Sequence, residues 1–292
     1  MVVYVGPGVT LRAVHPEILE RAGMAGMRVA SYSEKGGVGK SAAAAGMAAT
    51  ARERVRAGKL GTVFAVDLDP RGTFTSELGL DPEALPCSLN DLLAADPKGE
   101  KGLAADVLLE ASEAWSGINV LAAERALAHR ETDQSTGIEF RLRSGLDGVV
   151  TDNDLAVIDL PPRAGGKLVV AGLAAATHVV IPATLDEDGR IGAREALDTI
   201  RQVQETYNPG LHVVGIVPSI VPGGKSTLGD AIGKFLADTY GPLYRDDLAI
   251  PRYSIRQQTR FAKVPITTQT GKEATALMKA YDDILTAAGV TA

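Results

Sequence analysis

The chain has 292 residues, 45% of them hydrophobic, and a formal net charge of -6. That is enough apolar material for the core of one large α/β domain, and it argues against a wholesale nucleic-acid binder while leaving room for a local basic face. A single cysteine, Cys87, excludes an internal disulfide framework, and the four histidines show no metal-ligand spacing. The first residues lack a basic flank leading into an apolar segment, and no run of about 18 apolar residues occurs, so secretion and membrane spanning are not expected and a reducing cytoplasm fits.

Residues 1–26 carry turn signals at Gly6-Pro7-Gly8 and a short helical pattern from Pro16, and read as an N-terminal extension without an assignable function. Residues 27–292 read as a single domain. An apolar run from Met27 to Ser33 leads into Glu34-Lys35-Gly36-Gly37-Val38-Gly39-Lys40-Ser41, the layout of a phosphate-binding loop between a strand and a helix. Backbone N–H groups of Gly36, Gly37, Val38, Gly39 and Lys40 can converge on phosphate oxygens because the glycines permit close approach. The helix that follows, with Ala42 in its first turn, adds its positive N-terminus. Lys40 is expected to reach the β and γ phosphates of ATP, and Ser41 to ligate Mg²⁺.

Ser41 to Gly58 has the composition of an alanine-rich helix closed by Arg52, Arg54, Arg56 and a terminal glycine. Short apolar runs recur at Thr62–Asp67, Ile118–Leu121, Leu155–Leu160, His178–Ile181 and Val213–Val217, separated by helix-like stretches such as Ile138–Val150 and Asp188–Tyr207. This alternation predicts an α/β fold: a mostly parallel twisted sheet with helices on both faces. Leu80 to Gly117, with Asp81-Pro82, Leu85-Pro86 and Asp96-Pro97, reads as short inserted helices forming an interface or lid element. Ligands of a parallel sheet sit beyond the carboxyl ends of its strands, which singles out the acids ending apolar runs: Asp67 and Asp69 in VDLDPRG, and Asp159 in DLAVIDLPP. Asp159 is placed to hold Mg²⁺, through a water, as a Walker B acid.

The Walker A pattern normally opens on glycine, and here Glu34 stands at that position beside a second lysine, Lys35. The loop resembles the deviant Walker A signature KGGxGK[ST] of the ParA/MinD superfamily of dimeric ATPases, and the two acidic segments resemble that superfamily's VDxDPQG and DxxIIDxPP in the same order. The resemblance covers approximately residues 27 to 288 and implies a P-loop NTPase of SIMIBI type. It implies that Asp69 positions the attacking water, that Asp67 supports the metal shell, and that Lys35 reaches across to a partner subunit's ATP in a nucleotide-sandwich homodimer. Such a lysine has a chemical rationale, because phosphoryl transfer accumulates charge that an added cation neutralises. Arg71 stands where the superfamily usually has glutamine.

Gly223-Gly224-Lys225-Ser226-Thr227 also follows an apolar run, but no strand ending in a metal-ligating acid comes after it, so a structural loop is expected. The segment from Ile250 to Ile266 resembles the superfamily's IPRNxxxxEAxxxGxPI, which implies adenine contacts from Pro251 and Arg252. Between Pro251 and Lys263 there are four basic residues and no acid, and Arg252, Arg256 and Arg260 recur at helical i, i+4, i+8 spacing. With Lys263 they form a candidate stripe for the phosphates of double-stranded DNA, read without sequence preference. Lys272 to Gly289 reads as a final amphipathic helix whose acids outweigh its lysines, unlike a basic membrane anchor. The resulting expectation is a ParA/Soj-type partition ATPase, cytoplasmic and nucleoid-associated. It would dimerise with ATP, bind DNA nonspecifically and be stimulated by a ParB-like centromere-binding protein, without a membrane partner. The alternatives are a ParA-like ATPase positioning a protein cargo, a nucleotide-dependent switch with negligible turnover, and a metabolic transferase on the same loop fold.

Overall fold

The computed structural model describes residues 26–95, 100–224 and 226–290. The expected extension, save Gly26, the Asp96-Pro97 turn and Lys225 lie outside the described residues. Seven strands form one sheet: β1 (Met27–Ser31), β2 (Val63–Asp67), β3 (Leu109–Glu110), β4 (Ile118–Leu121), β5 (Leu155–Asp159), β6 (His178–Ala183) and β7 (His212–Pro218). Their order is β3-β4-β2-β5-β1-β6-β7, with every pairing parallel except that of β3 to β4. Strands such as Val63–Asp67 and Leu155–Asp159 are buried at every position, which is why they read as unbroken apolar runs rather than alternating ones.

Nine α-helices accompany the sheet among the described residues: α1 (Lys40–Arg56), α2 (Thr73–Glu77), α3 (Leu89–Ala94), α4 (Ile138–Leu146), α5 (Lys167–Ala175), α6 (Glu187–Thr206), α7 (Thr227–Tyr240), α8 (Ser254–Ala262) and α9 (Lys272–Ala287). Two cores result, one on each side of the strands. Val29, Ala65 and Val157 face a core closed by α1, α2 and α9, whereas Ala30, Val66 and Ile158 face one closed by α3 to α6. Helix α1 can lie close to α9 because Gly46 has no side chain; a Cβ there would stand 2.3 Å from the Tyr281 ring. The apolar side of α9 is occupied by this packing, with Leu277, Tyr281, Ile284 and Leu285 all buried. No helix among the described residues is long and apolar enough to cross a membrane.

The stretch expected as an interface or lid is instead built into both cores. Leu89, Leu92 and Leu93 of α3 join one, and Trp115 joins the other while donating from Nε1 to the Lys263 carbonyl at 3.0 Å. Helix α3 begins at a capping box in which Ser88 and Asp91 exchange hydrogen bonds.

Register sets the site. Ser31 pairs with Asp159, and Asp67 pairs with Asp159, so the carboxyl ends of β1, β5 and β2 finish at one level. The phosphate loop leaves β1 at one end of that row, next to β5.

Candidate nucleotide site

Residues 32–39 connect β1 to α1. Gly37 and Gly39 adopt left-handed φ values of 84° and 89°, which a side chain would strain, and a Cβ on Gly36 or Gly37 would meet nothing within 4 Å. The loop therefore leaves open space on its concave side. Helix α1 has no side-chain cap at Gly39, so its first N–H groups are left for an anion. The cradle is fixed from beneath: Ser31 Oγ donates to the Lys40 carbonyl at 3.1 Å, and Ser219 Oγ donates to the Val38 carbonyl at 2.5 Å. The Val38 side chain is buried and serves as an anchor. Glu34 is tied down by Thr199 Oγ1 at 2.6 Å and Tyr32 Oη at 3.3 Å, so the residue replacing the usual glycine braces the loop's entry.

Lys40 is buried and folds back to donate from Nζ to the Lys35 carbonyl at 2.9 Å. Desolvation lowers its pKa to about 8, against the attraction of Asp159 and Asp69 and with the help of Arg71. Asp159 is fully buried, and neither oxygen meets a donor in hydrogen-bond geometry. Burial and the neighbouring Asp67 push its pKa well above the usual carboxylate range, partly opposed by the Ser41 hydroxyl and the Lys40 ammonium. An orphaned carboxylate beside a serine hydroxyl suits a hydrated divalent cation, since such a cation supplies the missing charge and donors.

Asp67 behaves differently from the expectation of a metal-supporting acid. Its Oδ1 accepts from the Asp69 N–H at 3.1 Å, and its Oδ2 accepts from the Thr75 N–H at 2.8 Å and from Thr75 Oγ1 at 2.9 Å. Both oxygens are committed to holding the β2–α2 turn, and burial raises the pKa to about 7. Asp67 is a brace for the loop that carries Asp69. Asp69 lines the cleft while its Oδ1 accepts from the Arg71 N–H at 3.0 Å.

The cleft has a volume of about 420 Å³. It is lined by Gly36, Gly37, Gly39, Lys40, Ser41 and Ala42 of the loop and α1, by Asp69, Arg71 and Thr73 after β2, and by Ile250, Pro251, Arg252, Tyr253, Arg256, Gln257 and Arg260 of the segment leading into α8, with Tyr281 also contributing. Pro251 and Arg252 thus stand where a base could lie over α1. Ile220 lines it too, held at φ 55°, a left-handed conformation uncommon for a β-branched residue. Sequence reasoning missed Ser219, Ile220, Thr73, Tyr253 and Tyr281. None carries a motif signal, and all but Thr73 come from segments far along the chain.

Lys35 lies outside the lining. Its ammonium pairs with Asp188 Oδ2 at 2.6 Å, both side chains being exposed, so the lysine faces solvent at the mouth of the loop. In the segment expected to be a structural loop, Lys225 lies outside the described residues, and Ser226 caps α7 by accepting from the Gly229 N–H.

The arginine stripe requires correction. Helix α8 starts at Ser254, so Arg252 precedes it, and Lys263 follows it in a left-handed C-cap. Arg256 points inward: its side chain is 12% exposed and pairs at 2.7 Å with the buried Glu77 Oε1. Burial opposes its charge, yet Glu77 and Tyr281 keep its pKa raised. Arg256 is a structural cation joining α8 to α2 and not a DNA contact. Arg252, Arg260 and Lys263 remain exposed.

An AAA domain family matches residues 27–213. The sporulation initiation inhibitor protein Soj of Bacillus subtilis is 31% identical over 195 residues, 66% of this chain and 72% of its own. The chromosome-partitioning ATPase Soj of Thermus thermophilus is 32% identical over 67% of this chain and 70% of its own. Among solved structures, cobyrinic acid a,c-diamide synthase of Mycobacterium smegmatis, with bound ADP and magnesium, aligns at TM-score 0.70 and 29% identity over 89% of this chain and 94% of that one. The ATP complex of a single-residue variant of Cyanothece McdA aligns at TM-score 0.75 and 17% identity over 91% and 98%, a likeness of fold. With the deviant phosphate loop, the two acidic strand ends and these relatives in agreement, the chain belongs to the ParA/Soj-type partition ATPases of the ParA/MinD superfamily.

Proposed function

We propose that this protein binds ATP with Mg²⁺ in the cleft between the phosphate loop and the β7–α8 region, and hydrolyses it to drive the partitioning or positioning of DNA. The observation that carries the reading is Asp159, a fully buried carboxylate without donors, at the level of Ser31 and beside Ser41. Ser41 and Asp159 would hold the cation, which when bound neutralises charge on the β and γ phosphates. The loop N–H groups and Lys40 orient the triphosphate, Pro251 and Arg252 flank the base, and Asp69 orients the attacking water.

Lys35 supports a second step. Displaced from Asp188, its exposed ammonium is free to enter the site of a second copy, so that ATP would join two subunits. The ATP dimer then presents Arg252, Arg260 and Lys263 from both copies to duplex phosphates on the nucleoid, and a ParB-like protein stimulates hydrolysis and release. A protein cargo with its own adaptor, as for a positioning ATPase, uses the same chemistry; a switch with negligible turnover uses only the binding. The name of the Mycobacterium smegmatis neighbour supplies a further reading, ATP-driven amidation of a small molecule.

Phosphate release measured with Mg²⁺-ATP, alone, with duplex DNA and with the product of the adjacent gene, separates these. DNA- and partner-stimulated release supports partitioning. Absence of release under all three conditions favours the switch, and release that requires a small-molecule acceptor favours the synthase reading.

A further inference from the structure

Hydrolysis moves negative charge onto the γ-phosphoryl oxygens and the departing β-phosphate, and positive groups held at that place lower the barrier. Five cations of one subunit line the cleft, Lys40, Arg71, Arg252, Arg256 and Arg260, whereas Lys35 is turned to Asp188 and does not. Arg256 is neutralised by Glu77, and Arg252 and Arg260 belong to the segment after Pro251. Arg71 is the one that follows Asp69 by two residues, and its charge acts on Lys40.

Arg71 combines a fixed root with an uncommitted head. Its N–H donates to Asp69 Oδ1 at 3.0 Å, and the next N–H, of Gly72, donates to the Asp69 carbonyl at 2.8 Å. Gly72 is left-handed at φ 60°, and a Cβ there would come within 2.6 Å of the Pro82 ring and 3.3 Å of the Ala123 carbonyl, so the turn is wedged in place. Asp67 fixes the start of the same turn through the Asp69 N–H. The Arg71 side chain is exposed and makes no salt bridge among the described residues. A guanidinium rooted beside the water-orienting carboxylate, facing the phosphate cradle and lacking a protein counter-ion, has the placement of a cation that acts on the reacting phosphoryl group.

We propose that Arg71 is a catalytic residue of the ATPase reaction, an arginine finger supplied in cis. Water oxygen bonds to Pγ as the bond from Pγ to the β–γ bridging oxygen breaks. The electron pair leaves on ADP, the water's proton passes to Asp69 or to the released phosphate, and Arg71 balances the charge growing on the γ-phosphoryl oxygens. The inference rests on the nucleotide reading of the cleft. It gives each subunit a basal turnover that does not wait for a partner's lysine.

The test compares wild type, Arg71→Gln and Arg71→Lys by equilibrium binding of a non-hydrolysable ATP analogue and of ADP with aluminium fluoride, whose planar fluoride complex imitates the transferring phosphoryl group, and by single-turnover hydrolysis. Arg71→Gln is expected to lose about 100-fold in the hydrolysis rate and at least about tenfold in affinity for the fluoride complex, with analogue affinity within about threefold of wild type. Arg71→Lys should recover part of both losses, since charge is restored without the planar fork. Unchanged affinity for the fluoride complex, with analogue binding intact, would overturn the role of Arg71 alone. An equal loss in both complexes would make it a ground-state phosphate clamp and also overturn the proposal. Wild-type protein that binds neither complex would overturn the nucleotide reading together with it.

Discussion

Burial acts in opposite directions on Lys40, which lines the cleft, and on its buried neighbour Asp159, lowering the pKa of the first and raising that of the second. Each charge would be stabilised by what the cleft is built to receive, phosphate for the lysine and a cation for the aspartate. Lys40→Ala should therefore abolish measurable ATP binding in a calorimetric titration. Lys35→Ala should bind ATP with near wild-type affinity but fail to dimerise on ATP addition and lose partner-stimulated hydrolysis; an unchanged ATP dimer by light scattering would sink the cross-subunit role. Arg256 gives a prediction of another kind. Removing it leaves the Glu77 carboxylate, 3% exposed, without its cation, and breaking such a buried pair costs about 3–5 kcal/mol, so Arg256→Ala should lower the urea midpoint sharply. A midpoint within error of wild type would contradict the pairing. That Lys40, Ser41 and Asp69 line one cleft, with Asp159 beside Lys40, was legible in the sequence because glycine spacing and strand-ending acids are local patterns. The inward turn of Arg256 was not. Helical spacing says which residues share a face but not which way that face points, and Glu77 belongs to an element formed much earlier in the chain.

Six of the seven strands could be placed from their apolar runs, because a doubly covered parallel strand must be apolar throughout. Strand β3 escaped notice: it has two residues, one of them Glu110, and exists only through antiparallel pairing with β4. The contact of α1 with α9 was equally hidden, since alanine-rich composition shows that a helix can be approached closely but not by what. Gly46→Ala would drive a methyl group into the Tyr281 ring, an overpacking that costs about 1–3 kcal/mol, and should shift the urea midpoint down without changing the slope. At the amino ends of β6 and β7, the His178 and His212 rings stack with centroids 5.3 Å apart. Burial, and then His212, lowers the His178 pKa below its ordinary 6.5. As pH falls below that value the unfolded chain takes up the proton first, so the stability present above it is lost as pH falls towards the folded-state pKa. The midpoint should drop between pH 7.5 and about pH 5, and His178→Asn should lessen the drop; an identical drop in the variant would exclude this residue as its source.

Across the whole molecule, Arg260 of α8 lines the same cleft as Gly36, the neighbour of Lys35, so that ATP could govern both the proposed self-association and the proposed DNA binding. Asp69→Ala removes the carboxylate proposed to orient the water while leaving Lys40 and Ser41 in place, and should trap the proposed ATP dimer: turnover should fall far more than affinity, and equal losses would contradict the assignment. The proposed DNA surface is redrawn from the corrected geometry. Arg260 and Lys263 lie at the exposed end of α8 beside Phe261, which is 92% exposed, whereas Arg256 is withdrawn beneath them. The proposed ATP dimer would present this end twice. Each phosphate contact adds about 0.9 to the slope of log K against log salt, so the double variant Arg260→Ala with Lys263→Ala should reduce its magnitude by up to about 3.6 per dimer, alike for unrelated duplexes. The conservative Arg256→Lys should leave the slope unchanged while restoring much of the stability that Arg256→Ala loses, because its charge answers Glu77 and not a phosphate. Titrations of two unrelated duplexes at several salt concentrations, with ATP and with ADP, decide the matter. An unaltered slope in the double variant removes α8 from the DNA surface, and equal affinity in the ADP state removes the dimer as the switch.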